Sequence, residues 1–223
     1  MAIKALIFDF DGLILDTESA EFQSWQEVFA AYGHELSIEL WADLIGRPRS
    51  YFDMYAYFKQ LTDMAVDIEQ LRRAQRARVK ELILRQPILP GVLECLGAAR
   101  ELGLKIGLAS SSGRRYVCEH LERLELFHFF NATMCFEDTT EHKPNPGPYQ
   151  AVLDALGVSP REAVAFEDSP NGIASAHAAG IFCVAVPNPV TLRLPLDHAD
   201  YCTTSLAAES LPELLQRIER LLP

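Results

Sequence analysis

The sequence predicts an α/β fold: a doubly wound, mainly parallel Rossmann-like sheet carrying an inserted all-helical cap domain. Short apolar runs alternate with helical patterns along the chain, as buried strands and their crossover helices do. The first of these connections is far longer than the others. Acidic, hydroxyl or lysine side chains stand at or shortly after four of the five runs, and open α/β sheets bind ligands beyond their strands' carboxyl ends.

The elements follow in order. Ile3–Phe8 reads as the first strand. The chain then runs to Leu104 before the next strand, although a parallel crossover needs only about a dozen residues, usually one helix. That stretch carries helical patterns at Ser19–Tyr32, Ile38–Leu44, Arg49–Gln60 and Ile68–Leu84, and a further helix, Val92–Leu102, follows Pro90-Gly91. The next expected strands and helices are Leu104–Ala109, Arg115–Leu124, Ala132–Phe136, Pro148–Leu156, Ala163–Phe166, Asn171–Ala179, Phe182–Val186 and Ala207–Leu222. Gly157 and Gly180 mark helix ends, while Ser169-Pro170 and Ser210 before Leu211-Pro212 mark helix starts. The expected division is a catalytic core of residues 1–16 and 88–223, with residues 17–87 as a helical cap inserted after strand one.

Composition removes several classes of function. At 223 residues, 49% hydrophobic and 23% charged, the chain can bury a core without staples. Thirty-one acidic against twenty basic side chains give a net charge of −11, which argues against nucleic acid as a partner, since that binding needs clustered positive charge. The opening apolar run ends at Asp9 and no run is long enough to span a bilayer, so no membrane association is expected and the location is expected to be cytoplasmic. The five cysteines, Cys95, Cys118, Cys135, Cys183 and Cys202, form no CxxC, and the six histidines form no HExxH. They argue against a disulfide framework and a zinc site.

The chemistry lies at the strand ends. Asp9-Phe10-Asp11-Gly12 closes strand one, and carboxylates two apart on extended chain point to one side. At about 4 Å such a pair repels by about 4 kcal/mol at an effective dielectric near 20, so it calls for a cation, a proton or a reaction that uses it. Leu13-Ile14-Leu15 follow where a calcium loop would place oxygens. Glu167-Asp168-Ser169 ends strand four, and parallel strands put this second pair on the same edge. Four converging acids with no His or Cys favour Mg²⁺. Strand two runs into Ser110-Ser111-Ser112-Gly113, where hydroxyls and backbone N–H groups before a helix suit an oxyanion. Strand three leads to Lys143 within Glu141-His142-Lys143-Pro144-Asn145-Pro146. Together these groups could supply a nucleophile, an acid, phosphate ligands and metal ligands for phosphoryl transfer.

This ordered set resembles the haloacid dehalogenase-like superfamily, in particular its β-phosphoglucomutase-like phosphatases with a small helical cap. The matching residues are Asp9 through Glu18, Ser110, Lys143-Pro144-Asn145-Pro146 and Glu167-Asp168-Ser169-Pro170-Asn171-Gly172. The resemblance implies Asp9 as nucleophile, Asp11 as general acid and base, and Ser110 and Lys143 as phosphate ligands. It further implies Mg²⁺ held by Asp9, the Asp11 backbone carbonyl and Asp168, with Glu167 close by. Phosphomutases of this branch carry a cap histidine where this chain has Glu21, which favours water as the final acceptor. Gly46, Arg47 and Arg49 resemble the family's substrate-specificity loop. Ser111, Ser112 and Arg114 stand where related mutases bind a second phosphate.

The expected function is therefore a Mg²⁺-dependent phosphatase of a small phosphorylated metabolite (a sugar, polyol or nucleoside phosphate), working as a monomer or weak dimer through an aspartyl phosphate. A sugar phosphomutase is the alternative, and a phospho-accepting signalling domain a distant one. Arg72, Arg73, Arg76, Arg78 and Lys80 make one cap helix basic; such a face is either solvated or draws in anions.

Overall fold

The structure is a computed structural model that describes residues 2–45, 53–62 and 66–222. Six parallel strands form one sheet in the order β3-β2-β1-β4-β5-β6. They are β1 (Ala5–Phe8), β2 (Lys105–Ala109), β3 (Ala132–Met134), β4 (Ala163–Glu167), β5 (Phe182–Ala185) and β6 (Tyr201–Cys202). The helices are α1 (Thr17–Ala31), α2 (Ile38–Ile45), α3 (Met54–Thr62), α4 (Ile68–Arg85), α5 (Val92–Glu101), α6 (Arg114–Arg123), α7 (Gly147–Leu156), α8 (Pro170–Ala178) and α9 (Leu211–Leu221).

Strand alternation sorts the side chains onto two faces. Leu6, Phe8, Ile106, Leu108, Val164, Phe166 and Val184 pack in one cluster with residues of α5, α6 and α9. Ala5, Ile7, Ala109, Ala163, Ala165, Cys183 and Ala185 pack in another with α7 and α8. The second face is made mostly of small residues, which lets its helices approach closely. Phe8 pairs in register with both Leu108 and Phe166, and its ring stacks on Phe166 at 4.9 Å. This register brings Asp9, Ser110 and the end of β4 to one edge.

Helices α1–α4 occupy the long first connection. Phe22, Trp25, Phe29, Leu36, Trp41, Met54 and Phe58 give them an apolar cluster of their own, which Val190 joins from beyond β5. Asp16 caps α1 by accepting from the Ser19 N–H at 2.9 Å. Asp67 caps α4 by accepting from the Glu69 and Gln70 N–H groups. The Arg78 guanidinium ties α4 to Glu27 of α1. Where the chain leaves and rejoins the sheet, Leu15 bridges to Ile88 and the Leu89 N–H donates to the Ile14 carbonyl at 3.0 Å. The two connecting segments therefore run side by side.

Several elements depart from the expectation. Helix α3 begins at Met54, with Asp53 outside it, and residues 49–52 of the expected Arg49–Gln60 helix lie outside the described residues. The short strand β6 was not anticipated, because two residues with Cys202 exposed make no apolar run. Helix α9 begins at Leu211 rather than Ala207: the Ser210 N–H and hydroxyl both donate to the Glu213 carboxylate and close a capping box there. Strand β3 stops at Met134, and Phe136–Asp138 form a 3₁₀ turn. No helix among the described residues is long and apolar enough to cross a membrane.

Candidate active site

The edge of β1 and its neighbours collects charge that is largely withdrawn from water. Asp9, Ser110, Glu167 and Asp168 are buried, Asp11 is half-buried, and Asp9 follows β1 with its N–H on the Phe166 carbonyl at 3.0 Å. Lys143 arrives from the loop before α7. Its ammonium donates to Asp9 Oδ1 and to Glu167 Oε1, each at 2.5 Å. The Tyr149 hydroxyl donates to the same Glu167 oxygen at 2.7 Å, and the Lys143 ammonium lies 5.2 Å from the Tyr149 ring centroid. Glu167 also lies against Gly172, where a Cβ would stand 1.8 Å from its Oε2. Only glycine admits that carboxylate.

Asp168 has a different partner. Asn188, just after β5, donates from Nδ2 to Asp168 Oδ2 at 2.8 Å and to the Gly12 carbonyl at 3.1 Å. Its own Oδ1 accepts from the Val190 and Thr191 N–H groups, each at 2.9 Å, which fixes the amide's orientation. Gly12 has φ +82°, and a Cβ there would meet Asp168 Oδ2 at 2.1 Å. The turn of the DxDG segment thus needs glycine for both its backbone conformation and its neighbour.

Burial shapes the electrostatics. It pushes the Asp9 carboxyl up to about 7 despite the opposing Lys143 charge, with Glu167 and Asp11 adding to the rise. Burial also lifts Asp168 well above the ordinary carboxylate range, and Asp9 and Glu167 lift it further. Asp11 is raised by burial, opposed by its bond from Ser112. Burial alone would lower Lys143, but Asp9 and Glu167 outweigh it and hold the ammonium above its usual range.

Asp9, Glu167 and Asp168 each place a carboxylate oxygen within 4.8 Å of the others. Among the described residues one lysine faces this acidic group, and it is shared between Asp9 and Glu167. An all-oxygen donor set with excess negative charge fits a hard divalent cation.

The other expected residues divide. The Ser110 hydroxyl lies at this edge and accepts from the Ser112 N–H at 3.0 Å, while Ser111 is exposed. Ser112, expected on a substrate phosphate, donates from Oγ to Asp11 Oδ2 at 2.5 Å. Arg114 was also expected on substrate, but its guanidinium is engaged by Asp138 and the Thr133 carbonyl. Its N–H, at the start of α6, donates to Glu137 at 2.8 Å. Glu21 and Glu18 of α1 lie near enough to raise the Tyr116 phenol, after burial and Asp11. This puts them beside the same edge of the sheet. Gly46, Arg47 and Arg49 lie outside the described residues.

In the basic helix, Arg78 is paired with Glu27 and Glu81. Arg76 and Lys80 instead line a groove of about 670 Å³ between α4 and α6, together with Tyr116 and His120.

Sequence reasoning missed Tyr116, Tyr149 and Asn188. Asn188 carried a usable signal: it is a polar residue at the carboxyl end of the fifth strand, between two prolines. The two tyrosines sit on helix faces that read simply as apolar.

A family model for haloacid dehalogenase-like hydrolases matches residues 6–186. "Putative phosphatase YhcW" of Bacillus subtilis is 42% identical over 97% of this chain and 98% of its own. Hexitol phosphatase B of Escherichia coli is 33% identical over 96% of this chain and 97% of its own. Among solved structures, CbbY from Rhodobacter sphaeroides in complex with phosphate superposes with a TM-score of 0.68 at 25% identity. That match covers 95% of this chain and 99% of CbbY.

Proposed function

Because the chain belongs to the haloacid dehalogenase-like hydrolase family, we propose that it is a phosphatase that hydrolyses a small phosphorylated metabolite through a covalent intermediate on Asp9. Relatives named as phosphatases, hexitol phosphatase B among them, support sugar and polyol phosphates as the substrate class. The observation that carries the reading is the Lys143 ammonium bonded to both Asp9 and Glu167 beside Asp168. It sets a buried carboxylate nucleophile next to a fixed cation and an acidic pocket.

In the first half of the reaction an Asp9 oxygen attacks phosphorus, the bond to the leaving oxygen breaks, and Asp11 gives that oxygen its proton. In the second half Asp11 takes a proton from water, the water oxygen attacks phosphorus, and the Asp9–phosphorus linkage breaks. Both carboxylates return to their starting state. Lys143 and Ser110 hold the phosphoryl oxygens as their charge builds.

Asp9, Asp168 and the Asp11 backbone carbonyl would hold Mg²⁺, with Glu167 beside them; when bound, the ion supplies positive charge opposite the phosphoryl oxygens. This accounts for an anionic substrate in a chain of net charge −11, since the acids that make it negative are partly the ones that recruit the cation. Residues 17–87 act as a cap over the strand ends, closing to exclude water and to select the leaving group. Glu21, standing where the mutases carry histidine, favours water over a second sugar hydroxyl as acceptor.

The test is phosphate release from a panel of sugar, polyol and nucleoside phosphates at fixed Mg²⁺. Release should vanish in EDTA and in Asp9→Asn. Full activity under either condition overturns the reading, and conversion of a hexose 1-phosphate outpacing phosphate release would make the protein a mutase.

A further inference from the structure

Lys143 serves Asp9 and Glu167, whereas two hydroxyls from a single short segment, those of Ser112 and Tyr116, reach Asp11, with Thr17 of α1 also beside it. Ser112 donates from Oγ to Asp11 Oδ2 at 2.5 Å. Tyr116, in the first turn of α6, donates from its phenol to Oδ1 at 3.3 Å. Each carboxylate oxygen thus has its own hydroxyl. The phenol contact is long for an O–H···O bond, so Ser112 is the stronger holder and Tyr116 limits rotation of the free end.

The tyrosine ring is itself fixed. It packs edge-on against Phe10, between the two aspartates, with centroids 6.1 Å apart, and against His120 at 4.6 Å. Its position is therefore tied to the DxDG segment it serves.

Resting on the phosphatase reading, we propose that Ser112 and Tyr116 form a two-point clamp that aims the Asp11 carboxyl at the leaving oxygen, and that both are positioning residues for proton transfer. The partner chemistry suits the task. Asp11 alternates between acid and carboxylate during one turnover, and a lysine, which only donates, would favour the carboxylate alone. A hydroxyl both donates and accepts. As a neutral donor it can bond the unprotonated oxygen of the acid and either oxygen of the carboxylate, so the clamp persists in both states and leaves the acid's proton free for the departing oxygen. As the proton leaves Asp11 for the departing oxygen, the phosphorus–oxygen bond breaks and the bond to Asp9 forms. The two hydroxyls then donate to the new carboxylate.

The test uses substituted phenyl phosphates of similar shape, from p-nitrophenyl to p-methoxyphenyl, with full-length wild type, Ser112→Ala and Tyr116→Phe in Mg²⁺. The value of kcat/KM covers steps through release of the phenol. General acid catalysis contributes about 10²–10⁴ in rate, so partial loss of aim should lower kcat/KM for the p-methoxyphenyl ester about tenfold more than for the p-nitrophenyl ester, whose leaving group needs little protonation. Tyr116→Phe keeps the ring packing, and matching far-UV spectra and melting temperatures establish that the variants fold. A ratio of the two esters equal to that of wild type in both variants overturns the clamp, even if both activities fall. A wild-type protein that releases phosphate from neither ester overturns the phosphatase reading, and the clamp with it.

Discussion

Asn188 donates a hydrogen bond to Asp168 across 2.8 Å, and the same amide nitrogen reaches the Gly12 carbonyl. One buried side chain beyond β5 thus ties the acid after β4 to the turn after β1. Asp168 has burial and three neighbouring acids, Asp9, Glu167 and Glu18, working against its charged form, so an oriented donor would keep its oxygen available to the proposed Mg²⁺. Partners that orient a metal ligand are typically worth about 10–100-fold in metal affinity. Asn188→Ala should therefore raise the Mg²⁺ concentration for half-maximal phosphate release about tenfold or more. Titration of activity, alongside calorimetric Mg²⁺ binding, measures it, and an unchanged midpoint would mean the amide only packs.

Gly172 and Gly97 should respond to alanine in opposite directions. At Gly172 a Cβ would lie 1.8 Å from Glu167 Oε2, whereas at Gly97, inside α5, nothing stands within 4 Å. Overpacking costs about 1–3 kcal/mol, and Gly172→Ala should lose that much in denaturant unfolding. Gly97→Ala should gain about 0.5–1 kcal/mol from helix propensity. Equal shifts at the two sites would refute the packing account.

Lys143 compensates two carboxylates from a side chain only 5% exposed. Removing one partner of a buried ion pair costs about 3–5 kcal/mol, chiefly because the other charge stays behind. Lys143→Met should destabilise by that order and abolish phosphate release. Adding Glu167→Gln should recover much of the stability and none of the activity. Denaturant unfolding of the single and double variants, with phosphate-release assays, separates the two roles of the lysine.

His120 predicts a pH dependence of stability. Burial, and then the Arg123 charge, hold its imidazole below the ordinary 6.5, with Glu119 opposing and Lys80 adding to the effect. The Arg123 Nε–H donates to Nδ1 at 3.3 Å, a bond that a protonated Nδ1 cannot accept. The unfolded chain therefore takes up this proton more readily than the folded one. The contribution of His120 is fully present above pH 6.5 and is lost as pH falls through 6.5 toward the lower folded value. Between about pH 7.5 and about 5.5, a span bracketing the free imidazole value, wild type should lose more stability than His120→Phe. Parallel curves would remove His120 as the cause.

Much of the fold is legible in the sequence because burial leaves a local trace. Leu6-Ile7-Phe8 and Ala163 through Phe166 read as strands since both faces are covered, and the helical patterns at 19–32 and 68–84 survive in α1 and α4. Where the trace is local chemistry rather than hydrophobicity, it held at Ser210, whose capping box starts α9, against the longer apolar pattern from Ala207. Strand β6 left no such trace. Its two residues are strand only because β5 lies beside them.

By itself the sequence determined which residues could do chemistry, since an acid, a serine or a lysine after a buried strand must emerge at the sheet's carboxyl edge. It could not determine how those residues divide the available partners. Lys143 reaches Asp9 across 134 positions of sequence, Tyr116 reaches Asp11 across 105, and Asn188 reaches Asp168 across 20 with a turn between. Tertiary structure decided that Ser112 bonds Asp11 and that Asp138 engages Arg114. The physical reason is the short range of a hydrogen bond. Its partner is set by angstroms of packing between elements, and residue spacing along the chain does not encode those distances.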